Sequence, residues 1–138
     1  MATNLTDRLS KSRYMEGLRC PLAVYLSVHS YALRDQPTPE QQARFDVGNR
    51  VGRLAQQRYP GGVLIAQDHM HQQQAVVATR AALGSGAPAI FEAAFTYDNV
   101  KVRADVLRRL EGGGFALIEV KPTGGYNADK PLPDAGVQ

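Results

Sequence analysis

The sequence has little of several features that would assign it to other classes of protein. Its single cysteine, Cys20, excludes an internal disulfide and indicates a reducing compartment. No apolar run is long enough to span a membrane, and the first residues lack the apolar segment of a signal peptide. We therefore predict a cytoplasmic protein without a membrane partner.

The excess of positively over negatively charged side chains is also small. Lys and Arg number 16 and Asp and Glu 13, which leaves a formal net charge of +3. Such a balance permits binding to a polyanion without requiring it. Neither a repeat nor an internal boundary is visible, and 138 residues suffice for one modest core. We predict a single domain over 1–138, with a loop-like tail from about residue 122, where Pro and Gly become frequent.

The apolar periodicity and the turn residues predict an α/β fold, with a central mixed sheet and helices flanking it. Ser10 and Thr38 are the expected N-caps of two helices. The segment Tyr97-Asp98-Asn99 is the expected turn of a hairpin. We predict helices over 11–18, 21–28, 39–59 and 72–83, and strands over 63–66, 89–96, 100–110 and 115–121.

The candidate metal-binding and catalytic residues lie between residues 92 and 121. Side chains alternate along a strand, so Glu119 and Lys121 share one face, with Val120 opposite. A hairpin through the glycines at 112–114 brings Asp105 close to Glu119. Two neighbouring carboxylates repel, and a divalent cation relieves that repulsion. Magnesium and manganese prefer oxygen ligands and retain several waters.

We therefore predict a Mg²⁺ or Mn²⁺ site held by Asp105, Glu119 and the backbone carbonyl of Val120. Lys121 would stand beside the water that the cation orients towards a phosphodiester. Glu92, inside the preceding strand, is a further candidate ligand.

Structural alternatives exist for each of these residues. Asp105 is also spaced to pair with Arg103 or Arg108. Glu119 and Lys121 are also spaced to form an ion pair at a sheet edge, which would contribute only about 0–1 kcal/mol. Glu92 would alternatively lie on an exposed face or pair with Arg103.

The ordered set of Asp105 followed, after a hairpin, by Glu119-Val120-Lys121 resembles the core of the PD-(D/E)XK nuclease superfamily. The segments Ser10-Lys-Ser-Arg-Tyr-Met-Glu-Gly-Leu-Arg-Cys-Pro21 and Phe45-Asp-Val-Gly48 are similar to those of RecB-like nucleases. They are especially similar to CRISPR-associated RecB-like exonucleases and a related bacterial family. The resemblance runs from about Leu9 to Gln138. It implies a restriction-endonuclease-like core and metal-dependent hydrolysis of DNA.

The chain departs from this family at two positions. RecB-like enzymes usually carry a His or Glu on the long helix, four residues after a Gly, as an extra metal ligand; here Gly52 follows Gly48 at that spacing. Cys20-Pro21 resembles the first cysteine of iron–sulfur relatives, which need three more cysteines. The chain lacks these, so it holds no complete cluster, and Cys20 is expected to be a core-facing thiol unless the chain is a fragment.

The C-terminal end is a further departure. In the resembled family a helix would follow near residue 133, whereas this chain stops at Gln138. Two interpretations stay open: a fragment of a longer protein, or a naturally shortened one. A sheet without its covering helix exposes apolar surface, which we expect a second copy or a partner to cover.

DNA contacts are predicted from the distribution of basic and polar residues. Lys11 and Arg13 lie near a helix start, Arg50 and Arg53 lie on the long helix, and Thr123 follows Lys121. His69 and His71 lack a neighbouring Cys or His cluster and are interpreted as surface residues rather than zinc ligands. The alternative to a nuclease is a catalytically inactive nucleic-acid-binding or assembly module on the same scaffold.

Overall fold

A computed structural model describes residues 9–33 and 35–122 of the chain. These residues form the predicted α/β fold, with a four-stranded mixed sheet between helices. In chain order the elements are α1 (Lys11–Arg19), α2 (Pro21–His29), a short 3-10 helix (Tyr31–Leu33), α3 (Pro39–Gln57), β1 (Val63–Leu64), α4 (Gln72–Gly84), β2 (Ala89–Tyr97), β3 (Val100–Arg109) and β4 (Phe115–Ile118).

The sheet has the strand order β1-β2-β3-β4. Strand β1 runs parallel to β2, and the two later pairs are antiparallel. The β2–β3 hairpin turns at Asp98 and Asn99, whose φ angles of 41° and 62° are those that a tight two-residue turn requires. Gly113 and Gly114 supply positive φ angles of 87° and 78° in the β3–β4 turn. The three consecutive strands predicted from the sequence are confirmed.

Both predicted helix caps are confirmed. The Ser10 hydroxyl accepts the backbone N–H of Arg13 at the start of α1. At the start of α3, the Thr38 hydroxyl accepts the N–H of Gln41, and the Gln41 side chain accepts the N–H of Thr38. This reciprocal capping box fixes where the long helix begins.

Helix α4 packs on one face of the sheet through small side chains. The buried cluster here contains Ile65, Ala75, Ala82, Ile90, Ala93, Ala94, Ala104 and Leu107. The buried Thr79 hydroxyl accepts the N–H of Ala94 over 2.9 Å and donates to the carbonyl of Ala75. This bridge ties the middle of α4 directly to β2, because alanines let the two backbones approach closely.

Helix α3 lies at the other face and packs much less tightly. Ala55, together with Tyr59, contacts the buried side chains Phe91 and Val106. Val47 and Leu54 are 50% and 55% exposed, so only a narrow face of this helix packs on the sheet.

The first two helices also leave large apolar side chains in solvent. None of the described residues of α1 or α2 is buried. The exposed apolar side chains of this region are Tyr14, Leu18, Leu22, Tyr25, Leu26, Tyr31 and Leu33. Cys20 is exposed as well, so the prediction of a core-facing thiol is wrong.

The C-terminal strand differs from the prediction. Strand β4 ends at Ile118 instead of continuing to Lys121, because Val120 donates its N–H to a side chain rather than to the ladder. The tail was predicted from about residue 122, and its residues from 123 onward lie outside the described part of the chain. Within 9–33 and 35–122, no helix is long and apolar enough to cross a membrane.

Candidate functional site

Asp105 lies in the middle of β3 and connects this strand to the segment that follows β4. Its Oδ2 accepts the backbone N–H of Val120 over 2.7 Å. The ladder between the strands ends at the pair of Val106 and Ile118, so Glu119 is the first residue beyond it. The backbone of Val120 therefore meets Asp105 at one end of the β3–β4 ladder, while the side chains of Glu119 and Lys121 pair with each other.

Glu92 lies on the other side of Asp105. The β2–β3 ladder pairs Phe91 with Val106 and Ala93 with Ala104, which sets Glu92 opposite Asp105. The backbone of Glu92 has a φ of 56°, a left-handed conformation that is strained for a residue with a side chain.

The environment of Glu92 disfavours its charge. Burial raises the pKa of the Glu92 carboxyl, and the Asp105 carboxylate raises it further, while Arg103 partly opposes both effects. The carboxyl is half-buried, so a proton or a cation beside it would relieve an unfavourable interaction.

A cleft between α3 and the sheet opens over this carboxylate pair. Its cavity of ≈ 70 Å³ is lined on the helix side by Gly48, Gly52 and Gln56, and on the sheet side by Glu92 and Asp105. A Cβ atom added at either glycine would meet nothing within 4 Å. The two glycines thus keep the helix surface open above the acids.

Glu119 and Lys121 are paired with each other. Lys121 Nζ lies 2.7 Å from Glu119 Oε1, and the two side chains are 44% and 43% exposed. Val120, between them, packs against the buried cluster of Phe91 and Val106, as strand alternation predicts. The ion pair that the sequence left open as an alternative is therefore formed.

The carboxylates of Glu92 and Asp105 are the candidate ligands for a divalent cation at this cleft. In the described ranges 9–33 and 35–122, no three Asp, Glu, His or Cys side chains gather closely enough to hold a metal ion. Asp105 and Glu92 supply two carboxylates, and a carboxylate that accepts one hydrogen bond retains acceptor capacity. Magnesium is commonly bound by one or two carboxylates together with waters and substrate phosphates, so this pair fits Mg²⁺ or Mn²⁺.

Arg103 has a role that the sequence did not indicate. Its Nη2 donates to the backbone carbonyls of Gln67 and Asp68, over 2.6 and 2.8 Å, rather than to Asp105. It thereby fixes the loop between β1 and α4 against β3. No local pattern reveals this, because the two segments are more than thirty residues apart.

The same loop carries the predicted surface histidines. His69 and His71 are both exposed. His71 Nδ1 lies 2.8 Å from Asp68 Oδ1, and this hydrogen bond is the main cause that lowers the pKa of Asp68. Asp68 Oδ1 also accepts the backbone N–H groups of Met70 and His71. These hydrogen bonds stabilise the turn that leads into α4.

The predicted DNA contacts lie on two helices. Lys11 and Arg13 are in the first turn of α1, and Arg50 and Arg53 are exposed on α3. Arg53 directly follows the cleft glycine Gly52. Thr123 lies outside the described residues.

Comparisons with models of protein families, with curated proteins and with solved structures found no match to this chain. The function is therefore inferred from the carboxylate pair, the adjoining ion pair and the cleft above them.

Proposed function

We propose that the chain is a divalent-cation-dependent nuclease of the RecB-like type, which hydrolyses phosphodiester bonds in DNA on a restriction-endonuclease-like core. The observation that supports it best is the hydrogen bond from the Val120 N–H to Asp105 Oδ2. This bond holds the backbone of Val120 beside β3, the strand that carries Asp105, and β3 in turn pairs with the strand that carries Glu92. Asp105 and Glu92 line one cleft together with Val120, and Glu119 and Lys121 flank Val120 in the sequence.

Asp105 and Glu92 would hold Mg²⁺ or Mn²⁺, with Glu119 and the Val120 carbonyl as further oxygen donors. When bound, the cation would orient an attacking water and neutralise charge on the phosphodiester. Lys121 would hold that water or stabilise negative charge developing at phosphorus.

The cleft and the basic residues would position the substrate. Gly48 and Gly52 leave room above the acids for a phosphate and its waters. Arg50 and Arg53 on α3, Lys11 and Arg13 on α1, and Thr123 would contact the DNA backbone.

Calorimetric titration of Mn²⁺ tests the cation site directly. We expect heat of binding for the wild type and none for Asp105→Asn, whose side-chain oxygen can still accept the Val120 N–H. Glu111→Gln, in the exposed β3–β4 turn, is the matched control and should bind like the wild type. Equal heat in the wild type and Asp105→Asn, or no heat in the wild type, would overturn the proposal.

Cleavage is tested with labelled single-stranded and double-stranded DNA in the presence of Mn²⁺. We expect products from the wild type and none from Asp105→Asn or Lys121→Met. Products that persist in Asp105→Asn at the wild-type rate would indicate a contaminating enzyme and contradict the assignment.

A second candidate is a nucleic-acid-binding or assembly module without cleavage. The Glu119–Lys121 ion pair favours it, because both groups are engaged with each other. Gly52, at the helix position where the resembled family carries a ligand, favours it too. DNA binding that weakens steeply with salt, occurs without products and is unchanged in Lys121→Ala would select this function.

A further inference from the structure

The cleft between α3 and the sheet has two walls of different character. Its sheet wall carries the carboxyl groups of Glu92 and Asp105. On its helix wall, Gln56 is the only residue with a polar side chain among the described residues that line the cleft. The cavity measures ≈ 70 Å³, so an ion that fills it together with its waters contacts both walls.

The helical repeat places Gln56 on the open face of α3. Gly48, Gly52 and Gln56 follow one another at intervals of four residues, which is the spacing of one helix face. Side chains on a helix lean towards its N-terminus, so that of Gln56 leans over the turn that contains Gly52. A Cβ added at Gly52 would meet nothing within 4 Å. This open space gives the Gln56 amide room on the side of the cleft that faces the carboxylates.

The Gln56 amide is available for a ligand. The residue is partly buried, and within the described ranges its side chain has no hydrogen-bond partner that would hold it elsewhere. Carbonyl oxygens are hard ligands that suit magnesium and manganese. An amide oxygen would add a third donor without adding a third negative charge to two carboxylates that already repel.

The acidic residues alone do not complete a site. Within 9–33 and 35–122, no three Asp, Glu, His or Cys side chains gather closely enough to hold a metal ion. A further protein ligand beside this pair therefore has to be an oxygen of another type, and Gln56 is the residue that offers one from the helix wall.

We propose that Gln56 Oε1 is the helix-side ligand of a divalent cation held by Glu92 and Asp105. This inference rests on the proposed function, because it assumes that the two carboxylates bind the cation. Its consequence is that the bound cation ties α3 to β2 and β3. Such a tie is significant for this helix, since none of the residues of α3 is buried.

Calorimetric titration of Mn²⁺ without nucleic acid tests the ligand, because no phosphate is then present for the amide to contact. We expect Gln56→Met, which keeps the length of the side chain but lacks the oxygen, to weaken Mn²⁺ binding by at least about tenfold. Gln56→Glu should strengthen binding instead, because it places a negative charge at the same position. Gln57→Met, at an exposed position at the end of α3, is the matched control and should bind like the wild type.

Amide hydrogen exchange gives a second measurement, which does not depend on activity. Saturating Mn²⁺ should slow exchange along α3 in the wild type and in Gln57→Met, because the cation joins the helix to the sheet. In Gln56→Met, Mn²⁺ at a concentration that saturates this variant should leave exchange in α3 nearly unchanged. Opposite changes of affinity in Gln56→Met and Gln56→Glu, together with this loss of protection, would not arise from a general loss of folding.

The outcomes separate this inference from the proposed function. Mn²⁺ affinity in Gln56→Met equal to that of the wild type, weaker binding in Gln56→Glu, or protection of α3 that persists in Gln56→Met would overturn the role of Gln56. The cation site of Glu92 and Asp105 would stand in these cases, provided that Asp105→Asn still abolishes the heat of binding. Absence of Mn²⁺ binding by the wild type would overturn both proposals.

Discussion

Glu92 lies opposite Asp105 in the antiparallel ladder of β2 and β3, and the two acids face the same cleft. Burial raises the pKa of Glu92, and the charge on Asp105 raises it further. The Glu92 backbone is also left-handed, at a φ of 56°. A repelling pair on a strained backbone is retained at a loss of stability, which is common where a site must bind a charge.

The repulsion predicts that Glu92→Gln stabilises the protein at neutral pH. Like charges directly opposite in a ladder destabilise by about 0.2–1 kcal/mol, and glutamine removes one of them while keeping the shape. We expect the free energy of unfolding, measured by urea denaturation, to increase by about this amount.

The pH dependence of this effect follows from the direction of the pKa shift. The folded-state pKa of Glu92 lies above its ordinary value of 4.5, so the folded protein binds the proton more tightly than the unfolded chain. The penalty is absent below pH 4.5, grows as the pH rises through the folded-state pKa and is complete above it. The advantage of Glu92→Gln should shrink accordingly on acidification, whereas Glu111→Gln should show no such trend. A less stable Glu92→Gln at neutral pH would contradict the account.

Much of the backbone could be predicted because its signals are local. Ser10 and Thr38 cap helices through their own side chains, and Asp98-Asn99 tolerates the positive φ angles of a tight turn. The antiparallel pairing of β3 with β4 followed from the glycine turn, but the contact of Asp105 with the Val120 N–H did not follow from any sequence pattern.

The structural features that the sequence does not predict depend on contacts between distant segments. The left-handed backbone of Glu92 has no signature, since this φ is typical of glycine and asparagine. The end of β4 at Ile118 depends on a side chain of β3 capturing the Val120 N–H. The ion pair of Glu119 with Lys121 is one of two arrangements with which the sequence spacing is compatible, so spacing alone does not predict it.

Arg103→Met should destabilise the fold and alter Glu92. The guanidinium donates to two loop carbonyls at Gln67 and Asp68, and hydrogen bonds from charged donors contribute about 1.5–3 kcal/mol. Because Arg103 lowers the pKa of Glu92, its removal should raise that pKa further. Urea denaturation and a carbon-13 NMR titration of the Glu92 carboxyl measure the two effects. Arg108→Met, at an exposed position of the same strand, should leave both nearly unchanged, and an unaltered Glu92 pKa in Arg103→Met would refute the link.

Thr38→Ala should loosen α3 without affecting α4. Loss of the N-cap hydroxyl costs about 0.5–2 kcal/mol, and none of the residues of α3 is buried deeply enough to hold the helix otherwise. We expect faster amide hydrogen exchange along α3 and unchanged exchange in α4, which is tied to β2 through Thr79. Thr38→Ser keeps the hydroxyl and should exchange like the wild type. Equal acceleration in both helices would mean that α3 unfolds only together with the sheet.

Two glycines should respond to alanine with opposite signs. A Cβ at Gly62 would overlap Cε2 of Phe91, lie 2.7 Å from its Cζ and stand 3.1 Å from the carbonyl of Tyr59. Phe91 is 4% exposed and cannot move aside freely, so Gly62→Ala should lower the free energy of unfolding by about 1–3 kcal/mol. Gly52 lies inside α3 with open space around it, so Gly52→Ala should raise that free energy by about 0.5–1 kcal/mol, because alanine favours a helix over glycine. Urea denaturation with unchanged m-values measures both. If Gly52→Ala were destabilising instead, α3 would have to lie closer to the carboxylate pair than its open cleft indicates.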